Sequence, residues 1–171
     1  MGSNQNTGMC IPYTVRETPD KGRGVFADAA IPEGATVWRH VAGQYSVYDE
    51  RSLKALLSNM PHLEAVYVLT HIHCMREFPE YMIWARDDGQ LMNHSDQPTL
   101  LTHTKPGYDE VLIPGSTQDV SDALLGDHFT LVAARDIEKG EELTLDYNDD
   151  PDDPKYYDTL CEQYSITWDW L

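Results

Sequence analysis

The apolar segments of this chain are short, and each is closed by a turn signal. Val25-Phe26-Ala27 follows Lys21-Gly22-Arg23-Gly24, and Thr36-Val37-Trp38 follows Ile31-Pro32-Glu33-Gly34. Further on, Tyr81 to Ala85 runs into Asp87-Asp88-Gly89, and the apolar run Phe129 to Ala134 precedes a turn at Glu138-Lys139-Gly140. Glu142 to Tyr147 then alternates apolar and polar residues. Many short strands of this kind, with one helical insert, predict a mainly β or α+β domain.

The period changes only once before the C-terminal tail. Leu53, Leu56, Leu57 and Met60 recur at i, i+3, i+4, i+7, one face of a helix, with Asp49 as N-cap and Pro61 as its end. Residues 62–77 read equally as helix, from Leu63, Val66, Tyr67 and Thr70, or as strand, from the β-branched content of Val66 to Ile72. This helical insert occupies about residues 49–77. Two turn signals, Lys105-Pro106-Gly107 and Pro114-Gly115, mark residues 103–127 as a long excursion. The acidic run Asp146 to Pro154 separates a main domain, residues 10–150, from an aromatic tail, residues 151–171. In that tail Tyr157, Leu160, Cys161 and Tyr164 fall at helical spacing and pack on the domain. Residues 1–9 are polar and read as a flexible N-terminus without a signal-peptide layout.

At 171 residues the chain fits one domain. Its formal charge is −17, from 12 Lys+Arg against 29 Asp+Glu. That excess argues against a nucleic-acid backbone or an anionic membrane as the main partner, and for a basic partner or no charged partner at all. No apolar run approaches the roughly 18 residues of a membrane span. Cys10, Cys74 and Cys161 are odd in number and widely spaced, which predicts reduced thiols and an intracellular site of action, cytoplasm or nucleus.

Three segments combine residue types suited to chemistry. Gly22-Arg23-Gly24 lets a backbone turn tightly and approach a ligand, although Gly-x-Gly is equally common in hairpins. Asn93-His94-Ser95-Asp96-Gln97-Pro98 is either a self-bonded polar loop or a presentation of an amide and backbone groups to a polar ligand. Ala134 to Tyr147 ends a strand on a phenol, which either caps the core or points its hydroxyl into a cleft.

In this order and spacing, the three segments resemble the SET-domain protein lysine methyltransferases over about residues 14–150. The resemblance implies a fold of several small β-sheets around a pseudoknot, in which the last motif packs beside the Asn-His-Ser segment. It implies S-adenosylmethionine as cofactor, held by Gly22, Arg23, Gly24, Asn93 and His94. It further implies a catalytic Tyr147 at a lysine channel, Tyr81 as the second channel tyrosine, and a basic protein substrate, a histone tail among the candidates. The competing class is a non-catalytic acidic module of the same fold that binds basic proteins; retention of Tyr147, Asn93 and His94 together favours the enzyme.

Many members of that family carry a cysteine-rich zinc segment after the tyrosine. Here only Cys161 follows Tyr147, so no such zinc site forms. The tail offers Tyr156, Tyr157, Trp168 and Trp170 instead, either to cover the cofactor, with Trp168 as the candidate contact, or to dock on the domain's own core. Pro98 is followed by Thr99 where the family usually has Asn; Thr99 retains the ability to bond to backbone. No metal is expected. Asp146 to Tyr157 has calcium-loop spacing, but Pro151 stands where the loop needs Gly and Tyr157 where it needs Glu. His71 and His73 near Cys74 lack a second pair of ligands nearby.

Overall fold

The computed structural model describes residues 7–104, 114–125, 129–149 and 153–166. Among the described residues, nine strands and four helices follow one another. The first half holds β1 (Tyr13–Glu17), β2 (Arg23–Ala27), β3 (Thr36–Arg39), β4 (Tyr45–Tyr48), α1 (Glu50–Ser58), α2 (His62–Leu69) and β5 (Met82–Ala85). The second half holds β6 (Asn93–His94), β7 (Leu100–Thr104), α3 (Thr117–Leu124), β8 (Phe129–Ala133), β9 (Glu142–Leu145) and α4 (Lys155–Gln163). The strands form three small sheets, in the orders β1-β2-β9-β6, β3-β8-β7 and β4-β5. This is the β-rich α+β architecture that the short turn-bounded segments predict.

Strand β9 decides the topology. It pairs antiparallel with β2, matching Val25 to Leu143, and parallel with β6, matching Asn93 to Thr144 and His94 to Leu145. The C-terminal motif is thereby locked beside the Asn-His-Ser segment some fifty positions earlier. Thr99 and Thr144 tighten the lock. Thr99 N–H donates to Thr144 Oγ1 at 3.2 Å, and Thr144 N–H donates back to Thr99 Oγ1 at 2.9 Å. Thr99, standing where the family usually has Asn, does bond to backbone.

Three apolar clusters support this frame. One joins the two larger sheets through Val25, Val37, Trp38, Leu100, Ala133 and Leu143. A second packs α1, α2 and α4 through Leu53, Leu57, Val68, Leu69, Tyr157 and Leu160. The third collects Tyr45, Phe78, Ile83, Val120, Leu124 and Phe129. Helix α1 starts as its sequence predicts. The Asp49 carboxylate accepts from Ser52 N–H at 2.7 Å, and Ser52 Oγ in turn accepts from Asp49 N–H at 3.0 Å. Pro61 ends nothing directly: α1 stops at Ser58, and Pro61 is the residue before α2.

The ambiguous stretch 62–77 divides. Helix α2 takes residues 62–69, and His73 then bridges to Ile83 in extended form. The excursion is more regular than its turn signals imply. It begins within β7, and Ser116 caps α3, whose Val120 and Leu124 are buried. The rest of it, residues 105–113 and 126–127, lies outside the described residues, as do Trp168 and Trp170.

Thr7, Gly8 and Met9, grouped in the sequence with a flexible N-terminus, are hydrogen-bonded into the domain. Asp87, only 9% exposed, accepts from Thr7 Oγ1, Gly8 N–H, Gly89 N–H and the Trp38 indole N–H. Met9 bridges to Trp38. Among the described residues no helix is long and apolar enough to cross a membrane.

Candidate functional site

The β1–β2 hairpin supplies the first wall. Gly22 sits at φ +71°, a left-handed conformation that glycine adopts without strain, and a Cβ there would meet nothing within 4 Å. Thr18 closes the turn, donating its N–H and its Oγ1 to the Gly22 carbonyl at 2.6 and 2.9 Å. Gly24 is needed for a different reason. A Cβ there would stand 2.4 Å from Glu142 Oε1 and 2.9 Å from Asn93 Nδ2. The Gly-Arg-Gly segment is thus both a hairpin turn and a close approach.

Strand β6 supplies the second wall. Asn93 Nδ2 donates to the Arg23 carbonyl at 3.2 Å and to Glu142 Oε1 at 2.8 Å, tying β2, β6 and β9 together. The His94 carbonyl accepts from Lys21 Nζ at 2.7 Å. The His94 ring faces the other way along the chain. Its Nδ1 accepts from Tyr147 N–H at 3.1 Å, which puts the ring proton on Nε2, 3.2 Å from Asp96 Oδ1. Asp146 Oδ1 lies 3.7 Å from the same Nδ1.

Tyr147 stands just past β9, at the start of a 3-10 turn over residues 147–149. The Asp146 carboxylate shapes that turn, accepting from the Asn148 N–H at 2.9 Å and its side-chain amide at 3.0 Å. The phenol ring tilts against the His94 ring, centroids 5.4 Å apart. Its hydroxyl donates to the Met92 carbonyl at 2.7 Å. The residue is nevertheless 37% exposed, so it is neither sealed in the core nor detached from the polar box.

Gly22, Arg23, Gly24, Asn93, His94 and Tyr147 are therefore drawn into one network. Tyr81 stands at the entry to β5 against the third cluster, with its hydroxyl 3.4 Å from the Pro114 carbonyl. Tyr156 and Tyr157 follow the core-docking reading. Tyr157 is 3% exposed and donates to the Leu69 carbonyl at 2.6 Å, while Tyr156 donates to the Glu80 carbonyl at 3.1 Å. Among the described residues no group of three or more His, Cys, Asp or Glu could hold a metal ion.

Sequence reasoning missed Lys21, Glu142 and the Met92 carbonyl. A backbone carbonyl leaves no trace in residue type. Glu142 left none either, because only the pairing of β9 with β2 and β6 brings its side chain to Asn93.

A family model described as the SET domain matches residues 22–148. Among curated proteins, the N-lysine methyltransferase KMT5A-A of Danio rerio is 29% identical over 140 residues, covering 79% of this chain and 35% of that protein. The chain thus spans about a third of the length of that curated relative. Among solved structures, the Neurospora SET domain protein DIM-5, a histone lysine methyltransferase, superposes with a TM-score of 0.52 at 18% identity, over 82% of this chain and 53% of that one. At that identity the likeness speaks for the fold. The family match takes in β2 with its Gly-Arg-Gly segment, the Asn-His-Ser strand and Tyr147, the parts that β9 brings together: the chain belongs to the SET domain family.

Proposed function

We propose that this chain is a protein-lysine N-methyltransferase that uses S-adenosylmethionine and acts on a basic protein. The observation that carries the reading is the Tyr147 hydroxyl, anchored on the Met92 carbonyl at 2.7 Å beside the Asn93–His94 strand, in a residue still open to solvent.

The residues around the hairpin fit the cofactor's chemistry. Lys21 and Arg23 are exposed cations suited to its carboxylate, and the space beside Gly22 is open. The His94 carbonyl and the Asn93 carboxamide supply acceptors for its amino groups. When bound, S-adenosylmethionine supplies an electrophilic methyl on a sulfonium. Gly22, Arg23, Gly24, Asn93 and His94 would hold it.

The acceptor is a lysine amine, whose pKa near ~10.4 keeps the reactive neutral form scarce in water. Desolvation near a fixed positive charge lowers that value. With its proton donated to the Met92 carbonyl, the Tyr147 phenol would act toward the incoming amine as an acceptor of an N–H. That bond would aim the nitrogen lone pair along the line on which the N–C bond forms and the C–S bond breaks, a matter of orientation rather than covalent catalysis. The lysine proton leaves to solvent. Tyr81 is proposed as the second tyrosine of the channel.

The net charge of −17 suits this substrate. It raises the local concentration of a basic peptide and speeds encounter in a salt-dependent way. A histone tail is one candidate, and a cytoplasmic or nuclear site of action belongs to the same reading.

Incubation with labelled S-adenosylmethionine and mixed basic proteins tests the proposal, with Tyr147→Phe as control. Label transfer by the wild type, lost in the variant, is the expected result. No transfer, together with no thermal stabilisation by the cofactor, would leave the non-catalytic acidic module as the better description.

A further inference from the structure

We propose that Glu142 is a positioning residue that fixes the orientation of the Asn93 carboxamide, and through it selects a ligand carrying an ammonium group. The inference rests on the cofactor reading above.

Asn93 Nδ2 lies between the Arg23 carbonyl, 3.2 Å away, and Glu142 Oε1, 2.8 Å away. Both neighbours are acceptors, and neither has a proton to give when the carboxylate is ionised. Only the NH2 end of the amide satisfies both; the flipped amide would set its oxygen against two other oxygens. Glu142 therefore removes the ambiguity that a lone asparagine would have. Both Asn93 donors are consumed inside the protein, and Oδ1, the opposite end of the amide, is left as an acceptor.

The strands do not need this arrangement in order to pair. β9 is already held to β2 through Val25 and Phe26, and to β6 through its parallel register. The backbone has been cleared for it all the same. The Cβ that Gly24 lacks would stand 2.4 Å from Glu142 Oε1 and 2.9 Å from Asn93 Nδ2. An amide oxygen backed by a carboxylate attracts a cationic N–H donor and repels a carboxylate or phosphate. The group it selects is an organic ammonium, which in the proposed cofactor is the α-amino group.

The test compares Glu142→Ala and Glu142→Gln with the wild type, by calorimetry or ligand-detected NMR. The ligands are S-adenosylhomocysteine, which has the ammonium, and 5′-methylthioadenosine, which lacks it. Glu142→Ala should weaken the first by about tenfold or more, the scale of a charge-assisted hydrogen bond, and leave the second nearly unchanged. Glu142→Gln, whose amide oxygen can still accept from Asn93 but carries no charge, should restore part of the loss. Equal weakening of both ligands, or of neither, would overturn the proposal. A ligand-free readout separates this idea from the cofactor reading: the Asn93 side-chain NH2 resonances should shift and exchange faster in Glu142→Ala than in the wild type. Unchanged resonances would refute the positioning role even if the cofactor binds. A wild type that binds neither ligand would instead refute the cofactor reading, and with it the selection of an ammonium.

Discussion

Acidification should destabilise this protein through two desolvated histidines, His40 and His73. His40 is 6% exposed and lies edge-on between the Trp38 and Tyr45 rings, with centroids 4.6 and 5.0 Å away. Neither of its ring nitrogens makes a well-formed hydrogen bond among the described residues. Burial, with a smaller push from the neighbouring His73, lowers its pKa to about 3, against a slight opposing pull from the Phe129 backbone. Burial alone lowers His73 to about 4. Both values are depressed from an ordinary ~6.5, so the unfolded chain binds more protons than the folded one below that pH. The stability these neutral rings contribute is complete above pH ~6.5 and is lost as pH falls towards ~3–4. At about pH 5 each histidine accounts for ~2 kcal/mol, so the pair removes ~4 kcal/mol relative to about pH 8. Neutralising part of the −17 charge relieves self-repulsion and works in the opposite direction. A variant comparison is therefore cleaner than a single pH scan. His40→Phe keeps an aromatic ring between Trp38 and Tyr45 and removes one titration. Urea unfolding followed by tryptophan fluorescence at several pH values should show His40→Phe losing ~2 kcal/mol less than the wild type between those pH values. Parallel stability–pH curves for the two proteins would refute the reasoning.

Other substitutions probe the site and its supports. Tyr147→Phe removes the hydroxyl bonded to Met92 and should cut methyl transfer by ~10²-fold or more, leaving cofactor affinity within a few-fold in calorimetry. Gly24→Ala drives a methyl group into the Glu142–Asn93 pair; it should abolish thermal stabilisation by the cofactor and cost about 1–3 kcal/mol in chemical denaturation. Asp87→Ala strands the Trp38, Gly8 and Gly89 N–H donors and should cost about 3–5 kcal/mol by the same measurement. Leu63→Glu replaces a residue that is 81% exposed on α2 and should leave stability within ~0.5 kcal/mol.

Much of this molecule is legible in local pattern. The turn-bounded apolar segments give the strands, Asp49 gives the start of α1, and the spacing of Tyr157, Leu160 and Cys161 gives the buried face of α4. The motif residues Gly22, Arg23, Gly24, Asn93, His94 and Tyr147 are legible too, because each belongs to a short segment with an unusual combination of residue types. Where local signals balance, as over residues 62–77, the sequence leaves helix and strand open and packing decides: Ala65, Val68 and Leu69 go into the helical cluster, and His73 pairs with Ile83.

The sequence by itself determined the β-rich α+β class, the segments that carry the chemistry and the strongly acidic balance of charge. These depend on neighbours within a few positions or on a sum over the chain. Only the tertiary structure decided that β9 lies between β2 and β6, and so that Asn93 meets Glu142 and Arg23 while Tyr147 reaches His94 and Met92. These contacts join residues some fifty or more positions apart, and two of them end on backbone carbonyls that every residue possesses. Strand pairing sets them, and no side-chain spacing along the chain encodes it.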